Sequence, residues 1–306
     1  MKILLISSKF FGYSSRVSRA FRELDHDVDE IVIPSMSFID RVKKKLFKKD
    51  KKKNTYIKKQ LKFIDPRIYD KVFVFGGGAP LWLIRELKEN GHASFVLYLS
   101  ADNSSYGLES SYFNLFDRVF TYSLHDSELY GFDYRPWFFS DEKIADKRVD
   151  ISFVGSVHSD RYPYLDALVE NCSLKSIIYI YIDWLGYLKI RNSWKKLKRF
   201  IHFKGLSYNE YISLLAESKC TLDIPEKGQI NITTRPIEAL GTKTKVITTS
   251  KSIKKYDFYN ESNIFIIQSA TQLNNIREWL SIPYKEIDER IVNNYRISKW
   301  AKDVLS

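Results

Sequence analysis

Residues 205–250 read GLSYNEYISLLAESKCTLDIPEKGQINITTRPIEALGTKTKVITTS, and the spacing of their apolar residues changes several times. From Tyr208 to Ser218 the apolar residues recur at helical spacing, and Ser207 with Glu210 forms a capping box at the start. Cys220 to Ile224 is a short apolar run that ends at Pro225. Such a run is typical of a buried strand.

A second helix and a second strand follow. Arg235 to Leu240 has a proline in its first turn and Gly241 directly after it, which are common signals for the start and the end of a helix. Lys245 to Thr248 is the next apolar run. The succession of helix, strand, loop, helix and strand predicts a parallel α/β sheet.

The loop before the second helix has the residues of a nucleotide site. Ligands of open parallel sheets bind outside the carboxyl ends of the strands, and a helix N-terminus favours an anion. Glu238 lies one turn inside the helix, where a carboxylate can accept hydrogen bonds from a ribose diol. The other candidates for donor binding are Gln229, Asn231, Thr233, Thr234 and Arg235. The structural alternative is that Thr234 only caps the helix and Glu238 only favours its dipole.

This segment resembles the donor-binding core of bacterial GT-B glycosyltransferases that build capsules and lipopolysaccharide. The shared pattern consists of Leu222-Asp223-Ile224, Gln229, Thr233, Arg235, Glu238-Ala239-Leu240-Gly241 and Lys245-Val246-Ile247-Thr248-Thr249. In such enzymes the helix that carries the glutamate binds the nucleotide-sugar. Many retaining members have a second glutamate eight positions later, where this chain has Val246. The resemblance therefore implies sugar transfer to a cell-surface polysaccharide or a lipid-linked saccharide, with inversion at the transferred carbon.

The resemblance also implies an α/β fold of the GT-B type, in which two Rossmann-like domains have parallel sheets that face each other across a cleft. A chain of 306 residues is long enough for two domains. We expect an acceptor domain at 1–140, a nucleotide-sugar domain at 141–285, and a terminal helix at 286–306 that crosses back to the first domain. A nucleotide-sugar, most simply a UDP-sugar, is the implied co-substrate, and neither a cofactor nor a metal ion is expected.

The first domain contains the candidates for acceptor binding. The first strand, Lys2 to Ser7, is followed by a loop with Gly12 and Tyr13, and a later strand is followed by Gly76 and Gly77. The first loop touches the acceptor in the enzymes that the chain resembles, and glycines allow a ligand to approach the backbone closely. Both segments can equally be ordinary connections between a strand and a helix.

Two residues are candidates for the catalytic base. Asp102 follows the strand from Ser94 to Leu99, and His125 follows the next predicted strand, with Asp126 beside it. Either side chain could remove the proton of the acceptor hydroxyl. The alternatives are that Asp102 caps the segment after it and that Asp126 caps a helix.

The second domain begins with another strand, from Asp150 to Val154. Gly155 and Ser156 follow it, and Gly155 would permit close approach of a pyrophosphate that Arg161 neutralises. Lys204 ends a further strand and would help Arg235 and the helix N-terminus to stabilise the departing diphosphate in place of a metal ion.

The net charge of +12 points to an anionic partner. The residues from Arg41 to Lys62 are the strongest basic run, and apolar residues interleave with its lysines. Such a run suits an anionic membrane surface, or it is simply a solvated face. The two cysteines, Cys172 and Cys220, predict neither a disulfide nor a metal site. We therefore expect a cytoplasmic protein that can attach to the inner face of the membrane.

Two other functions fit the sequence less well. A nucleotide-sugar epimerase has the same architecture, but those chains are usually longer and have more acid–base residues in the cleft. A non-catalytic protein could bind nucleic acid or a membrane through residues 41–62. Since that basic run lies apart from the site-like loops, we do not expect a nucleic-acid partner.

Overall fold

The computed structural model describes residues 1–8, 11–34, 51–156, 159–170, 174–190, 192–226 and 229–306. These residues form two compact units, one of residues 1–137 with 297–306, and the other of residues 138–296. The boundary lies within the aromatic segment from Tyr134 to Phe139, slightly before the expected position at 140. Residues 286–296 belong to the second unit. The part of the basic run from Arg41 to Asp50, and Cys172, lie outside the described residues.

The first unit is built on a parallel sheet. Its six strands have the order β2-β1-β3-β4-β5-β6, and every neighbouring pair is parallel. The strands are β1 (Lys2–Ser8), β2 (Asp27–Ile33), β3 (Lys71–Phe75), β4 (Ser94–Leu99), β5 (Arg118–Thr121) and β6 (Asp133–Tyr134). All five residues of β3 are buried, as expected for a strand that is covered on both faces.

The helices of the first unit connect these strands. They are α1 (Tyr13–Arg22), α2 (Lys51–Leu61), α3 (Leu81–Asn90), α4 (Asn103–Tyr106), α5 (Ser110–Phe113) and α6 (Leu124–Tyr130). Pro66–Ile68 is a short 3₁₀ helix. Helix α2 contains the described part of the basic run. It is attached to β2 by Gln60, whose side chain both donates to and accepts from the backbone of Val32, and by Ile57, which is fully buried.

The last helix of the chain, α13 (Ile297–Leu305), belongs to the first unit. Its Trp300 is fully buried, and its ring lies 4.9 Å from that of Tyr98 and 6.0 Å from that of Phe73, measured between centroids. Arg135 adds an ion pair to Asp303, with 3.0 Å between nitrogen and oxygen. The amphipathic pattern of the terminal residues is explained by this packing.

The second unit is built on another parallel sheet. Its six strands have the order β12-β11-β10-β7-β8-β9. They are β7 (Val149–Ser156), β8 (Ser176–Tyr181), β9 (Ile201–His202), β10 (Ser218–Asp223), β11 (Lys245–Thr248) and β12 (Ile264–Ile266). Strand β10 lies between β7 and β11, and it pairs with both in parallel. The segment that opened the sequence analysis therefore supplies central strands of this sheet.

The helices of the second unit differ from the expected ones mainly in length. They are α7 (Tyr162–Glu170), α8 (Trp184–Ile190), α9 (Tyr208–Ala216), α10 (Arg235–Gly241), α11 (Arg277–Ser281) and α12 (Glu289–Asn294), with 3₁₀ helices at Ser159–Arg161, Lys195–Phe200, Lys251–Lys255 and Ala270–Asn275. The predicted capping box of Ser207 and Glu210 is present at the start of α9. The sequence predicts one helix in each of the ranges 184–199, 270–280 and 286–305, but the structure divides each range into shorter pieces.

The fold class expected from the sequence, an α/β fold with two parallel sheets, is confirmed. In the described part of the chain, no helix has both the length and the apolar composition needed to cross a membrane. Cys220 is a buried free thiol, and burial raises its pKa.

The position of Trp300 generates a stability prediction. Trp300→Ala is expected to lower the free energy of unfolding by about 3–5 kcal/mol, because it leaves a cavity among aromatic rings. Phe63→Ala is the control, since that side chain is 89% exposed and its removal should cost about 0.5 kcal/mol at most. Urea unfolding followed by circular dichroism measures both, and equal stabilities for the two variants would contradict this account of α13.

Candidate functional site

A buried ion pair lies at the carboxyl ends of the central strands of the second unit. Asp223 ends β10 and is fully buried, and its carboxylate accepts a hydrogen bond from Arg235 at 2.9 Å. The hydroxyl of Thr233 donates to the same carboxylate at 2.7 Å, and that of Thr248 at 3.1 Å. A second guanidinium nitrogen of Arg235 donates to the carbonyl of Val154. The start of α10 is therefore tied to β7, β10 and β11.

A second arginine lies beside this pair. Arg161 is only 7% exposed, and its Nε donates to the carbonyl of Ile224 at 2.9 Å. Its Nη1 donates to the carbonyl of Ser156 at 2.7 Å. Both arginines lie over the ring of Phe153, with Arg161 Cζ 5.6 Å and Arg235 Cζ 5.4 Å from its centroid.

Gly155 is required where the two arginines converge. A Cβ atom at this position would lie 2.9 Å from the ring of Phe153, 3.2 Å from Arg161 Nη1 and 3.4 Å from Arg235 Nη2. The sequence predicted close approach of backbone and ligand at this glycine. In the structure, the guanidinium groups of Arg161 and Arg235 occupy the space next to Gly155.

The two arginines of the cluster repel each other. Burial, followed by the neighbouring charge of Arg235, lowers the pKa of Arg161 to about 10. Arg161 is therefore still charged at neutral pH, although it is crowded by a like charge. Asp223 pairs with Arg235, and the charges of Asp223 and Glu226 partly oppose the lowering of the Arg161 pKa. An anion bound at this point would relieve the repulsion between the two arginines.

A cavity opens beside the cluster. It has a volume of about 270 Å³ and is lined by Asp160, Tyr164, Ile224, Pro225, Glu226, Gln229, Thr249 and Ser250. Sites for drug-sized ligands have volumes of roughly 300–1,000 Å³. The cavity is therefore large enough for one part of a nucleotide only. It contains Gln229, one of the residues selected from the sequence.

Two other candidates, Glu238 and Thr234, lie on α10 and at its start. Glu238 is fully buried, and its carboxylate accepts a hydrogen bond from the hydroxyl of Tyr208 at 2.6 Å. Thr234 occupies the N-cap position of α10, but its side chain makes no capping hydrogen bond. The hydroxyl of Thr233 accepts from the backbone N–H of Arg235 instead, at 3.2 Å.

Lys204 lies away from the two arginines. It follows β9, the edge strand, and β8 and β7 separate that strand from β10. The side chain of Lys204 is exposed, and its carbonyl accepts a hydrogen bond from Tyr179. Of the residues selected for donor binding, the described contacts thus bring together Gly155, Ser156, Arg161, Thr233 and Arg235, while Asn231 is buried on the same loop.

In the first unit, the loop after β1 leads directly into α1. Gly12 has the left-handed conformation, with φ of +69°, at the N-cap of the helix. Tyr13 is buried, and its ring lies 5.1 Å from that of Trp137 and 4.4 Å from the guanidinium carbon of Arg16. Tyr13 is therefore a packing residue of this unit.

Backbone conformation and close packing explain the glycines after β3. Gly76 has φ of +90°, which other residues rarely adopt. A Cβ atom at Gly77 would lie 2.5 Å from the ring of Tyr106. The hydroxyl of Tyr106 forms a hydrogen bond of 2.8 Å with that of Ser100. Close approach does occur at these glycines, but the approaching group is a tyrosine ring of the same unit.

Acidic side chains gather at the carboxyl ends of β4 and β5. Asp102 is half-buried at the N-cap position of α4 and makes no capping hydrogen bond there. Asp126 is buried and accepts a hydrogen bond from the backbone N–H of Asn103 at 2.8 Å. Burial raises the pKa of Asp126, and that hydrogen bond partly opposes the effect. Burial, followed by the charge of Asp102, raises the pKa of Tyr122.

Asp126 does not cap its own helix, but its carboxylate accepts the first backbone N–H of α4, that of Asn103. Ser123 caps α6, because its hydroxyl accepts a hydrogen bond from the backbone N–H of Asp126 at 3.1 Å. His125 is exposed in the first turn of the same helix. Among the described residues, Asp102 and Asp126 are the carboxylates placed at this edge.

Sequence reasoning missed the roles of Asp223, Phe153 and Tyr208. The sequence could have indicated the role of Asp223, because a carboxylate at the end of an apolar strand requires a cation or several hydrogen-bond donors. No sequence signal indicates that Phe153 supports two arginines or that Tyr208 binds Glu238, since both contacts depend on tertiary structure. Within the described residues, no group of three or more His, Cys, Asp or Glu side chains could hold a metal ion.

No protein-family model and no curated protein matches the chain. Solved structures do resemble it. A glycosyltransferase from Rickettsia africae is 15% identical, with a TM-score of 0.63 over 99% of this chain and 96% of that chain. Sucrose-phosphate synthase from Thermosynechococcus elongatus is 13% identical, with a TM-score of 0.63 over 99% of this chain and 97% of the other.

A third structure has a different named activity. A proposed UDP-N-acetylglucosamine 2-epimerase from Listeria monocytogenes is 11% identical, with a TM-score of 0.56 over 100% of this chain and 94% of that one. Sequence identities this low show that the folds are alike and nothing about activity. The chain has the GT-B fold.

The buried pair of Asp223 and Arg235 generates a second stability prediction. Asp223→Ala is expected to cost about 3–5 kcal/mol of unfolding free energy, because it leaves Arg235 buried without a counter-charge. Glu286→Ala is the control, since Glu286 is 69% exposed and pairs with a Lys243 side chain that is 47% exposed, and a surface pair contributes about 0–1 kcal/mol. Urea unfolding should separate the two, and equal costs would show that the cluster does not stabilise this unit.

Proposed function

We propose that this protein is a glycosyltransferase that moves a sugar from a nucleotide-sugar, most simply a UDP-sugar, to a cell-surface polysaccharide or a lipid-linked saccharide. The observation that carries the proposal is the convergence of Arg161 and Arg235 at Gly155, at the carboxyl edge of the second sheet of a GT-B fold. Two guanidinium groups that are fixed close together suit a diphosphate.

The arginines would hold the diphosphate, and the cavity with Gln229 would take another part of the nucleotide. The charge of the arginines would also favour bond cleavage. As the bond between the sugar carbon and the diphosphate oxygen breaks, negative charge accumulates on that oxygen, and fixed cations stabilise it without a metal ion. The acceptor oxygen attacks the same carbon from the opposite side, which inverts its configuration.

Asp102 would accept the proton of the attacking hydroxyl. It is half-buried and lies at the carboxyl end of β4, whereas Asp126 is held by the backbone N–H of Asn103. The products are the glycosylated acceptor and the nucleoside diphosphate.

A lipid-linked acceptor would place this reaction at the cytoplasmic face of a membrane. The described end of the basic run supports attachment there, since Lys58, Lys59 and Lys62 are exposed on or directly after α2. These lysines suit an anionic surface. Residues 41–50 lie outside the described residues.

Nucleotide binding is the first experimental test. UDP should raise the melting temperature of the protein, because a ligand that binds only the folded state stabilises it. Arg161→Lys keeps the charge but loses the hydrogen bonds to Ile224 and Ser156, and we expect UDP affinity to fall roughly tenfold or more. Arg148→Ala, an exposed arginine of the same unit, should bind normally.

Comparison of nucleotides defines the donor. A shift with GDP or dTDP but not UDP would replace the donor class and keep the site. If no nucleoside diphosphate shifts the melting temperature of the unaltered protein, the proposed function is wrong.

A separate experiment tests Asp102 as the base. Asp102→Asn should reduce sugar transfer by about 10²–10⁴-fold, because the acceptor hydroxyl loses its base, while the UDP-induced thermal shift stays the same. His125→Ala is the matched control and should retain transfer. The reverse pattern would make His125 the base.

One alternative activity is favoured by a specific observation. The fold is shared with the proposed epimerase from Listeria monocytogenes, and an epimerase needs no acceptor. Incubation of the protein with a UDP-sugar alone separates the two. Release of an altered sugar nucleotide without any acceptor would favour epimerisation over transfer.

A further inference from the structure

The cavity of the second unit is continuous with the contacts of the two arginines. Ile224 lines the cavity, and its carbonyl accepts a hydrogen bond from Arg161 Nε at 2.9 Å. Thr249 also lines it, and its backbone N–H donates to the carbonyl of Asp223 at 3.4 Å. Asp223 in turn is paired with Arg235. A group that is joined to a diphosphate on the arginines can therefore reach this cavity.

The lining of the cavity has the opposite charge from the arginine pair. It includes the carboxylates of Asp160 and Glu226, and none of its described residues is a lysine, an arginine or a histidine. Asp160 directly precedes Arg161 in a 3₁₀ helix. Burial lowers the pKa of Arg161, and the charge of Glu226 is one of two that oppose this effect. The carboxylate of Glu226 therefore lies within electrostatic range of that guanidinium.

The other side chains of the lining are also mostly polar. Gln229 supplies an amide, Thr249 and Ser250 supply aliphatic hydroxyls, and Tyr164 supplies a phenol. A carboxylate only accepts hydrogen bonds, whereas amides and hydroxyls both donate and accept. The cavity therefore suits a ligand that has several hydrogen-bond donors and no negative charge.

This chemistry matches a sugar better than a pyrimidine base. Uracil presents carbonyl oxygens next to its N–H, and carboxylates would repel those oxygens. A hexose presents several hydroxyls, each of which can donate a hydrogen bond to Asp160 or Glu226. A sugar acid is the exception, because its carboxylate would be placed beside two like charges.

We propose that this cavity binds the sugar of the donor, and that Asp160 and Glu226 select a neutral or amino sugar over a hexuronic acid. The inference rests on the proposed function, since it requires a nucleotide-sugar with its diphosphate on Arg161 and Arg235. It adds the chemical class of the transferred sugar. Selection operates through repulsion, so the disfavoured sugars are those with an acid group.

A pair of donors that differ at one carbon tests this selectivity on the full chain. UDP-glucose and UDP-glucuronic acid are identical except at C6, which carries a hydroxyl in one and a carboxylate in the other. Isothermal titration calorimetry should show that the acid binds roughly tenfold more weakly or worse, because two carboxylates repel it. If another nucleotide raises the melting temperature instead of UDP, the pair is made with that nucleotide. Equal affinities, or tighter binding of the acid, would overturn the inference.

A double variant identifies the residues that discriminate. Asp160→Asn with Glu226→Gln removes both charges and keeps the size of each side chain. In this variant the affinities for the two UDP-sugars should come within about threefold of each other. Asp146→Asn is the matched control, because Asp146 is exposed and lies outside the cavity lining, and it should keep the full difference. Far-UV circular dichroism confirms that each variant is folded. A full difference in the double variant would exclude Asp160 and Glu226 as the selective residues.

UDP without a sugar separates this inference from the proposed function. If UDP binds but the protein does not distinguish the two UDP-sugars, the nucleotide site stands and the selectivity of the cavity is wrong. If the folded double variant loses affinity for UDP itself, the cavity holds part of the nucleotide rather than the sugar, and the inference is wrong. If no nucleoside diphosphate binds to the unaltered protein, the proposed function and this inference both fail.

Discussion

The second unit depends on one buried carboxylate. Asp223 is removed from water at the end of a central strand, and a carboxylate in that position must be neutralised and supplied with hydrogen bonds. Arg235, Thr233 and Thr248 meet this requirement from a helix, a loop and a neighbouring strand. The pair therefore fixes where α10 begins, and Arg235 in turn places positive charge next to Gly155.

The same arrangement links stability to chemistry. Arg235 is held by Asp223 and by the carbonyl of Val154, and Arg161 is held by the carbonyls of Ile224 and Ser156. Guanidinium groups fixed in this way need little reorganisation when an anion arrives, which is what electrostatic stabilisation of a leaving group requires. Glu238 is instead buried against Tyr208. The hydrogen bond between these two side chains connects α9 with α10.

The first unit is organised by packing rather than by a charge. Trp300 from the end of the chain completes an aromatic core with Phe21, Phe73, Phe75 and Tyr98. The carboxyl edge of its sheet is acidic at Asp102 and Asp126, while that of the second unit is basic at the arginine pair. Acidic and basic ligand edges on separate units are consistent with a division of work between proton transfer and anion binding.

The sequence by itself determined the class of fold and the order of most elements. Strands β4 and β11 have the predicted bounds, and the capping box at Ser207 and Glu210 is present, because these features depend on local periodicity and on side chains within one turn. The sequence also grouped Gly155, Arg161 and Arg235, and the structure brings these three residues together. They meet because parallel strands bring their carboxyl ends to a common edge.

Only the tertiary structure decided which polar residues face each other. Glu238 and Tyr208 are 30 residues apart, and Arg235 and Asp223 are 12 apart. Helix lengths at 184–199 and 286–305 were also overestimated, since propensity is a weak preference that packing overrides. Burial is the physical reason in each case, because the need to neutralise a buried charge or fill a core is met by residues that sequence distance does not reveal.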